Sequence, residues 1–167
     1  MLDPLQAELP TSLPLVVVME RRQIADNRWT DASWRAIGVT VDPEPSGARV
    51  LRRRLDGGNE VQHELHSGFQ LQLQKDECES YYHNLLSPHP YCYVVASIGE
   101  EMLPLPRLVT LSFDEAHAYM EGGEELYTVD MPAEIYRWAE AFVLQNYLPE
   151  RRHKRKRRAW TQEQTPQ

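Results

Sequence analysis

Six residues are of the types that ligate zinc: His63, His66, Cys78, His83, His89 and Cys92. Imidazole nitrogen and thiolate sulfur are its preferred donors, but the spacing here builds no site. His63 and His66 lie in an extended stretch, where side chains three positions apart point to opposite faces. Cys78 and Cys92 stand among apolar neighbours, where a free thiol behaves as a small hydrophobe. A nucleophile is equally hard to place. The chain has no Gly-x-Ser-x-Gly elbow and no glycine-rich phosphate loop, since Gly57–Gly58 and Gly122–Gly123 read as turns. Asp114, Glu115, Glu121, Glu124 and Glu125 cluster in sequence, as a solvated helix face does, without the pairing that acid–base work requires. The residues therefore predict no catalytic group, no metal and no cofactor.

Recognition is the chemistry that the remaining residues suit. Arg21 and Arg22, then Trp29, then Trp34 and Arg35 set two indoles among guanidinium groups, and Trp and Arg are the favoured anchors of protein interfaces. Two readings stay open. Trp29, in a polar loop, and Arg21, Arg22 and Arg35 form a partner-binding edge, or the indoles plug the end of a sheet with arginine stacked on them. The plug suits Trp34, which sits in a strand. A second recognition element is the run Arg151, Arg152, His153, Lys154, Arg155, Lys156, Arg157 and Arg158, which has no apolar residue to bury and cannot fold alone.

Charge separates these regions. The net charge is −7, yet the run at 151–158 holds seven of the 18 Lys and Arg. Residues 1–150 carry 11 cations against 24 acids, a net −13, and residues 151–167 carry seven cations against Glu163, a net +6. A body this acidic is a poor ligand for nucleic acid, so only the tail suits phosphates, and a protein partner is the stronger expectation. Two cysteines make no disulfide framework and suit a reducing, cytoplasmic compartment. Arg21–Arg22 lacks the following apolar segment of an export signal. The longest apolar run, Leu15 to Met19, is far below the ~20 residues of a membrane span.

The elements that must position these groups follow from periodicity. Leu13–Glu20 and Trp34–Val41 read as strands. Arg49–Leu55 and Glu60–His66 read as a hairpin around Asp56–Gly57–Gly58–Asn59. Phe69, Leu71 and Leu73 alternate with Gln70, Gln72 and Gln74 as a further half-buried strand. A short helix is predicted over Glu77–Leu86, with Asp76 as N-cap and Cys78, Tyr82 and Leu85 on one face. Pro90–Ser97 reads as a central strand, with Arg107–Leu111 after Pro104 and Pro106. Ser112–Phe113–Asp114–Glu115 is a capping box opening a helix to Met120. Glu125–Val129 suits an edge strand. Ile135, Trp138, Ala139 and Phe142 repeat at the spacing of a buried helix face.

Together these predict an α+β fold: a mainly antiparallel sheet or partial barrel of about six to eight strands with about three helices, the last C-terminal and packed on the sheet. Residues 1–12 read as a flexible arm, 13–148 as one globular domain and 149–167 as a disordered basic tail.

The order of these segments also carries a resemblance. Leu15–Val18 with Glu20–Arg21–Arg22, Asn27–Arg28–Trp29 with Trp34–Arg35, Tyr82–His83–Asn84–Leu85 and Pro90–Val95 come first. Val109–Ala116, Met131–Pro132 ahead of Ile135, Trp138 and Phe142, and His153–Arg157 follow. The chain resembles a bacterial family of unknown function whose genes lie beside those for molybdenum-dependent formate dehydrogenase and its maturation factors. The resemblance implies no catalytic residues. It implies an accessory role in assembling or supporting such an enzyme, through a formate dehydrogenase subunit or a maturation protein. The alternative is an enzyme or carrier for a small anionic ligand, such as a nucleotide-bearing molybdenum cofactor.

Overall fold

A computed structural model describes residues 8–23, 32–100 and 102–147; Trp29 and the basic run at 151–158 lie outside the described residues. In chain order these residues form β1 (Ser12–Gln23), β2 (Ala32–Val41), β3 (Arg49–Asp56), β4 (Asn59–Gln72), α1 (Cys78–Leu86), β5 (Tyr91–Ile98), β6 (Pro104–Thr110), α2 (Phe113–Glu121), β7 (Glu125–Asp130) and α3 (Ala133–Asn146). The fold is α+β. The strands make two antiparallel sheets, ordered β2-β1-β4-β3 and β6-β5-β7. β4 lies alongside β6 and β2 alongside β7, so the two sheets share one core.

That core is filled from both sheets and from α3. Leu15, Val17 and Met19 meet Leu71, Cys92, Val94, Val109, Ile135, Ala139 and Phe142 in one buried cluster. α3 docks with the face its sequence spacing predicts, Ile135, Trp138, Ala139 and Phe142, joined by Val143. The Trp138 indole N–H donates to the Pro10 carbonyl at 2.7 Å, tying the chain ahead of β1 to the last helix.

α1 buries Cys78 and Leu85 as predicted, but with Tyr81 in place of Tyr82. Tyr81 is 1% exposed and Tyr82 37%. Tyr81 sets an edge against Phe142 at 6.5 Å, and its hydroxyl accepts the Gln74 N–H at 3.1 Å. Asp76 is not the N-cap; a 3-10 turn over Lys75–Glu77 leads into the helix, and Glu77 occupies the cap without a side-chain bond. Asn84 joins α1 to the second sheet. Its amide donates to the Tyr91 and Leu111 carbonyls at 2.8 and 2.9 Å, and its oxygen accepts the Tyr91 N–H at 3.0 Å.

The capping box at α2 forms as predicted, with Ser112 Oγ accepting the Glu115 N–H at 3.1 Å. Glu115 does not reach back to the Ser112 amide. It accepts from Thr110 Oγ1 at 2.7 Å, and Thr110 Oγ1 in turn accepts the Ser112 N–H. Pro104 and Pro106 lie inside β6 instead of ahead of it. β6 is an edge strand with a register shift opposite Val95 and Ala96, a position where missing N–H groups break no ladder.

The largest departure from the sequence pattern is β4. The two strands predicted at Glu60–His66 and Phe69–Leu73 are one 14-residue strand. Leu15 pairs with Phe69, but Val17 pairs with His66, so β4 carries one extra residue there. Gly68 takes φ 97°, a left-handed conformation that suits glycine at a bulge. A Cβ at this position would stand 3.3 Å from the Gly47 Cα. The neighbouring turn is stitched to the bulge, because Ser67 Oγ donates to buried Asp42 and the Ser67 N–H donates to the Ala48 carbonyl at 3.0 Å.

Trp138→Ala removes a buried indole and leaves the Pro10 carbonyl unpaired. The expected loss is about 3–5 kcal/mol, or about 2–4 °C of melting temperature per kcal/mol at this chain length. Thermal melts of the purified variant check it; an unchanged melting point would contradict the docking of α3.

Candidate interaction surface

The bulge decides which side chains meet on the four-stranded sheet. A slip of one residue exchanges the two faces of a strand. Beyond Gly68 the polar residues Gln62, Glu64 and His66 therefore continue the face that Phe69 and Leu71 begin. Met19 pairs with Glu64, and Val17 with His66. The opposite face carries Glu20, which pairs with Arg35 on β2 and with His63 on β4; His63 pairs with Arg52 on β3. In the next row of that face, Ser33, Arg22, Val61 and Arg54 stand opposite one another.

Each face holds one buried carboxylate gripped by bases. Glu20 is 4% exposed. Its Oε1 takes Arg22 Nε at 3.1 Å and Arg35 Nη2 at 3.2 Å, and its Oε2 takes His63 Nε2 at 3.0 Å. Arg22 also reaches Asp56 at 3.0 Å, beside the β3–β4 turn. Burial pushes the Glu20 carboxyl up, but hydrogen bonds from His63, Arg22 and Arg35, with the charge of Arg22, outweigh it and hold the group at about 2. Glu64, on the other face, is also 4% exposed. Arg49 lies 2.6 Å from it, and His66 and Gln62 both 3.1 Å. Burial pulls His66 below the usual histidine range although the Glu64 hydrogen bond opposes that. His63 and His66 thus point to opposite faces, as their spacing predicts, and each binds a carboxylate.

The charge of this sheet runs against that of the body. The four strands hold Arg21, Arg22, Arg35, Arg49, Arg52, Arg53 and Arg54 against Glu20, Asp56, Glu60 and Glu64, a net +3. These are seven of the 11 cations in residues 1–150, and the rest of that span, four cations against 20 acids, is −16. The basic tail is therefore not the only cationic region. Composition did not reveal this, because arginines from three strands come together only in the folded sheet. Arg21, Arg22 and Arg35, read as partner-binding from sequence, lie on it. Arg21 is opposite Trp34, on the face away from Glu20. Trp29, Arg151, Arg152, Lys154, Arg155, Lys156, Arg157 and Arg158 lie outside the described residues. Arg49, Arg52, Arg53 and Arg54 were passed over. Their signal was a strand, RVLRRRLD, with charge on both alternating faces, which marks an edge.

Two concavities flank the sheets. Trp34, Arg49, Glu64, Gly99, Leu103, Pro104 and Leu105 bound a cavity of about 340 Å³ where the polar end of the four-stranded sheet meets the β5–β6 turn. Trp34 is half-buried and packs against the core. A wider groove of about 790 Å³ runs between α1 and the start of α2, among Glu79, His83, His89, Tyr93, Phe113 and Asp114. Tyr93 meets Phe113 edge-on at 6.0 Å, and Phe113 stacks on His117 at 5.5 Å.

Comparison with known proteins gives one result. The chain belongs to the family described as Protein of unknown function (DUF3305), whose model matches residues 14–157. No curated protein and no solved structure matches it. Within the matched span lie all seven arginines of the sheet and both gripped carboxylates. Cys78 and Cys92 are free and buried, and burial pushes the Cys92 thiol up to about 12. Among the described residues no three His, Cys, Asp or Glu gather as a metal site, and no helix is long and apolar enough to cross a membrane.

Because Glu20 titrates lower folded than unfolded, its stabilisation is present above about pH 4.5 and is lost as pH falls toward about 2. Glu20→Gln should cost on the order of 2 kcal/mol at pH 7, the scale of hydrogen bonds to a charged group. The deficit should shrink at pH 3. Denaturant melts of both proteins at the two pH values measure it, and a deficit independent of pH would refute the charged clamp.

Proposed function

We propose that this protein is a non-catalytic accessory protein, and that it binds an acidic protein partner through the arginine-bearing end of its four-stranded sheet. One observation carries the reading: the cations of an otherwise acidic body are concentrated on these four strands. Such a surface steers an acidic partner and repels basic ones. Glu20 and Glu64 serve it by holding Arg22, Arg35 and Arg49 in place, which lowers the ordering cost of binding. Arg52 and Arg54 are exposed and make no ion pair among the described residues, so their charge is free for a partner.

The partner class follows from the resemblance alone. It is a formate dehydrogenase subunit or a maturation protein of that molybdoenzyme, met in the cytoplasm. The run Arg151–Arg158 acts as a second electrostatic arm on the same partner. A second reading, binding of a small anionic ligand such as a nucleotide-bearing molybdenum cofactor, is favoured by one feature: Trp34 and Arg49 share a wall of the smaller cavity. An indole face and a guanidinium are the groups that would hold a flat ring and a phosphate.

The test is the affinity of the full chain for purified formate dehydrogenase and for its maturation proteins. Arg52→Glu with Arg54→Glu should weaken that binding by at least about tenfold, the loss of charge steering and contact at an interface core. The melting temperature should hold, since neither side chain is paired. Unchanged affinity would refute the docking role, and stoichiometric retention of a pterin by the purified protein would favour the second reading. Truncation after Glu150 should leave stability unaltered and slow association at low salt, an effect that fades as the Debye length shrinks from about 10 Å at 0.1 M to about 3 Å at 1 M.

A further inference from the structure

β3 ends the four-stranded sheet and, among the described residues, has no strand on its outer edge. All eight of its residues are exposed. Val50, Leu51 and Leu55 are 46%, 50% and 77% exposed, aliphatic side chains that the fold leaves half or more in solvent.

The hairpin turn sets which backbone groups face outward. Gly57 and Gly58 take φ 57° and 87°, the values of a two-residue type I′ turn. Such a turn makes Asp56 and Asn59 a hydrogen-bonded pair, and bonded pairs then alternate along the ladder. Leu55, Arg53, Leu51 and Arg49 are the residues whose N–H and C=O groups look away from β4. They form a continuous open template.

Natural edges are blunted by proline, by brevity or by charge. β3 has no proline, and its eight residues exceed the usual strand length of about five or six. Charge is what remains, and charge discriminates. A second copy of β3 would bring the same arginines and be repelled, whereas a strand of opposite sign would be drawn in. The two faces of β3 also differ. Arg52 and Arg54 share the outer face with Glu20 and make no ion pair among the described residues, whereas Arg49 and Arg53 on the other face are taken by Glu64 and Glu60, with Leu51 and Leu55 beside them.

We propose that the free edge of β3 is a strand-addition site for an extended acidic segment of the partner. Its carboxylates lie on the Arg52–Arg54 face and its aliphatic side chains lie against Leu51 and Leu55. Main-chain hydrogen bonds supply affinity, and the alternation of side chains supplies selectivity. The proposal rests on the docking role assigned to this sheet and adds the backbone geometry of the contact.

The probe is a synthetic peptide of about eight residues alternating glutamate with valine, a typical strand length. Fluorescence anisotropy with the full chain should show binding, and amide exchange should slow at Leu51, Arg53 and Leu55. Methylating every second peptide nitrogen removes the bonds and keeps the charge, so affinity should fall at least about tenfold if the main chain carries the contact. Leu51→Pro, tolerated on an edge whose N–H faces solvent, should abolish binding, while Leu51→Ala should leave most of it.

No binding, equal binding of the methylated peptide, or unaltered exchange on β3 would overturn the proposal. So would a dimer of the protein that Leu51→Pro dissolves, which would assign the edge to a second copy. If Leu51→Pro unfolds the chain, the methylated peptide alone decides. If Leu51→Pro still binds formate dehydrogenase components and the Arg52→Glu/Arg54→Glu variant does not, strand addition fails and the docking role stands. If neither variant alters that binding, the docking role itself fails.

Discussion

Strands β1 and β4 run side by side from the Ser12–Gln72 pair to the Arg22–Val61 pair, and along this ladder the buried groups change from apolar to charged. At one end Leu15, Val17 and Leu71 are sealed under the second sheet and α3. At the other the buried groups include the carboxylates Glu20 and Glu64, and β3 is wholly exposed beside it. The Gly68 bulge brings this about on the core side, turning Glu64, His66 and Gln62 onto a face that would otherwise have presented Leu65 and Val61 to the cavity at the β5–β6 turn. The bulge is stitched to the Asp42–Ala48 turn, whose backbone would crowd a Cβ at Gly68, 3.3 Å from the Gly47 Cα.

A buried carboxylate is costly unless its oxygens are occupied. Glu20 and Glu64 are each met by three donors, and the arrangement orders arginines that would otherwise sample many rotamers. These clamps help a body of net −13 to sustain a cationic sheet: two of its four anions, Glu20 and Glu64, lie buried beneath guanidinium groups, while Asp56 and Glu60 stay exposed beside Arg22 and Arg53. The charge is uneven along the chain: net +3 on the four strands and net −16 over the rest of residues 1–150. Partners approaching at physiological salt sense the local sign within a Debye length of about 8 Å, not the net charge.

The second sheet has a different task. β5 lies between β6 and β7, buried on both faces at Cys92, Tyr93, Val94 and Val95. Asn84 and the Thr110–Ser112–Glu115 relay fix α1 and α2 to it by hydrogen bonds. The groove between α1 and α2, with Glu79 and Asp114 in its lining, contrasts with the arginine sheet.

Much of this was legible along the chain. The 3.6-residue spacing of Ile135, Trp138 and Phe142, the Ser112 cap, the Gly57–Gly58 turn and the two-faced apolar strand at Tyr91 are local signals, and local backbone and burial preferences sufficed to place their elements. Arg22 and Arg35, close in sequence, meet on Glu20, while Arg21 stands on the other face. What the chain could not show was register. The continuity of β4 through Ser67–Gly68, the choice of Tyr81 over Tyr82 for the core, and the meeting of Glu20 with His63 and of Arg49 with Glu64 depend on which residues stand opposite across a ladder. A single inserted residue exchanges the faces of a strand without altering its composition. Local signals along the chain set most of the elements and the charge, whereas the gathering of seven arginines on one sheet came from folding, because pairing between strands, and not order along the chain, sets their distances.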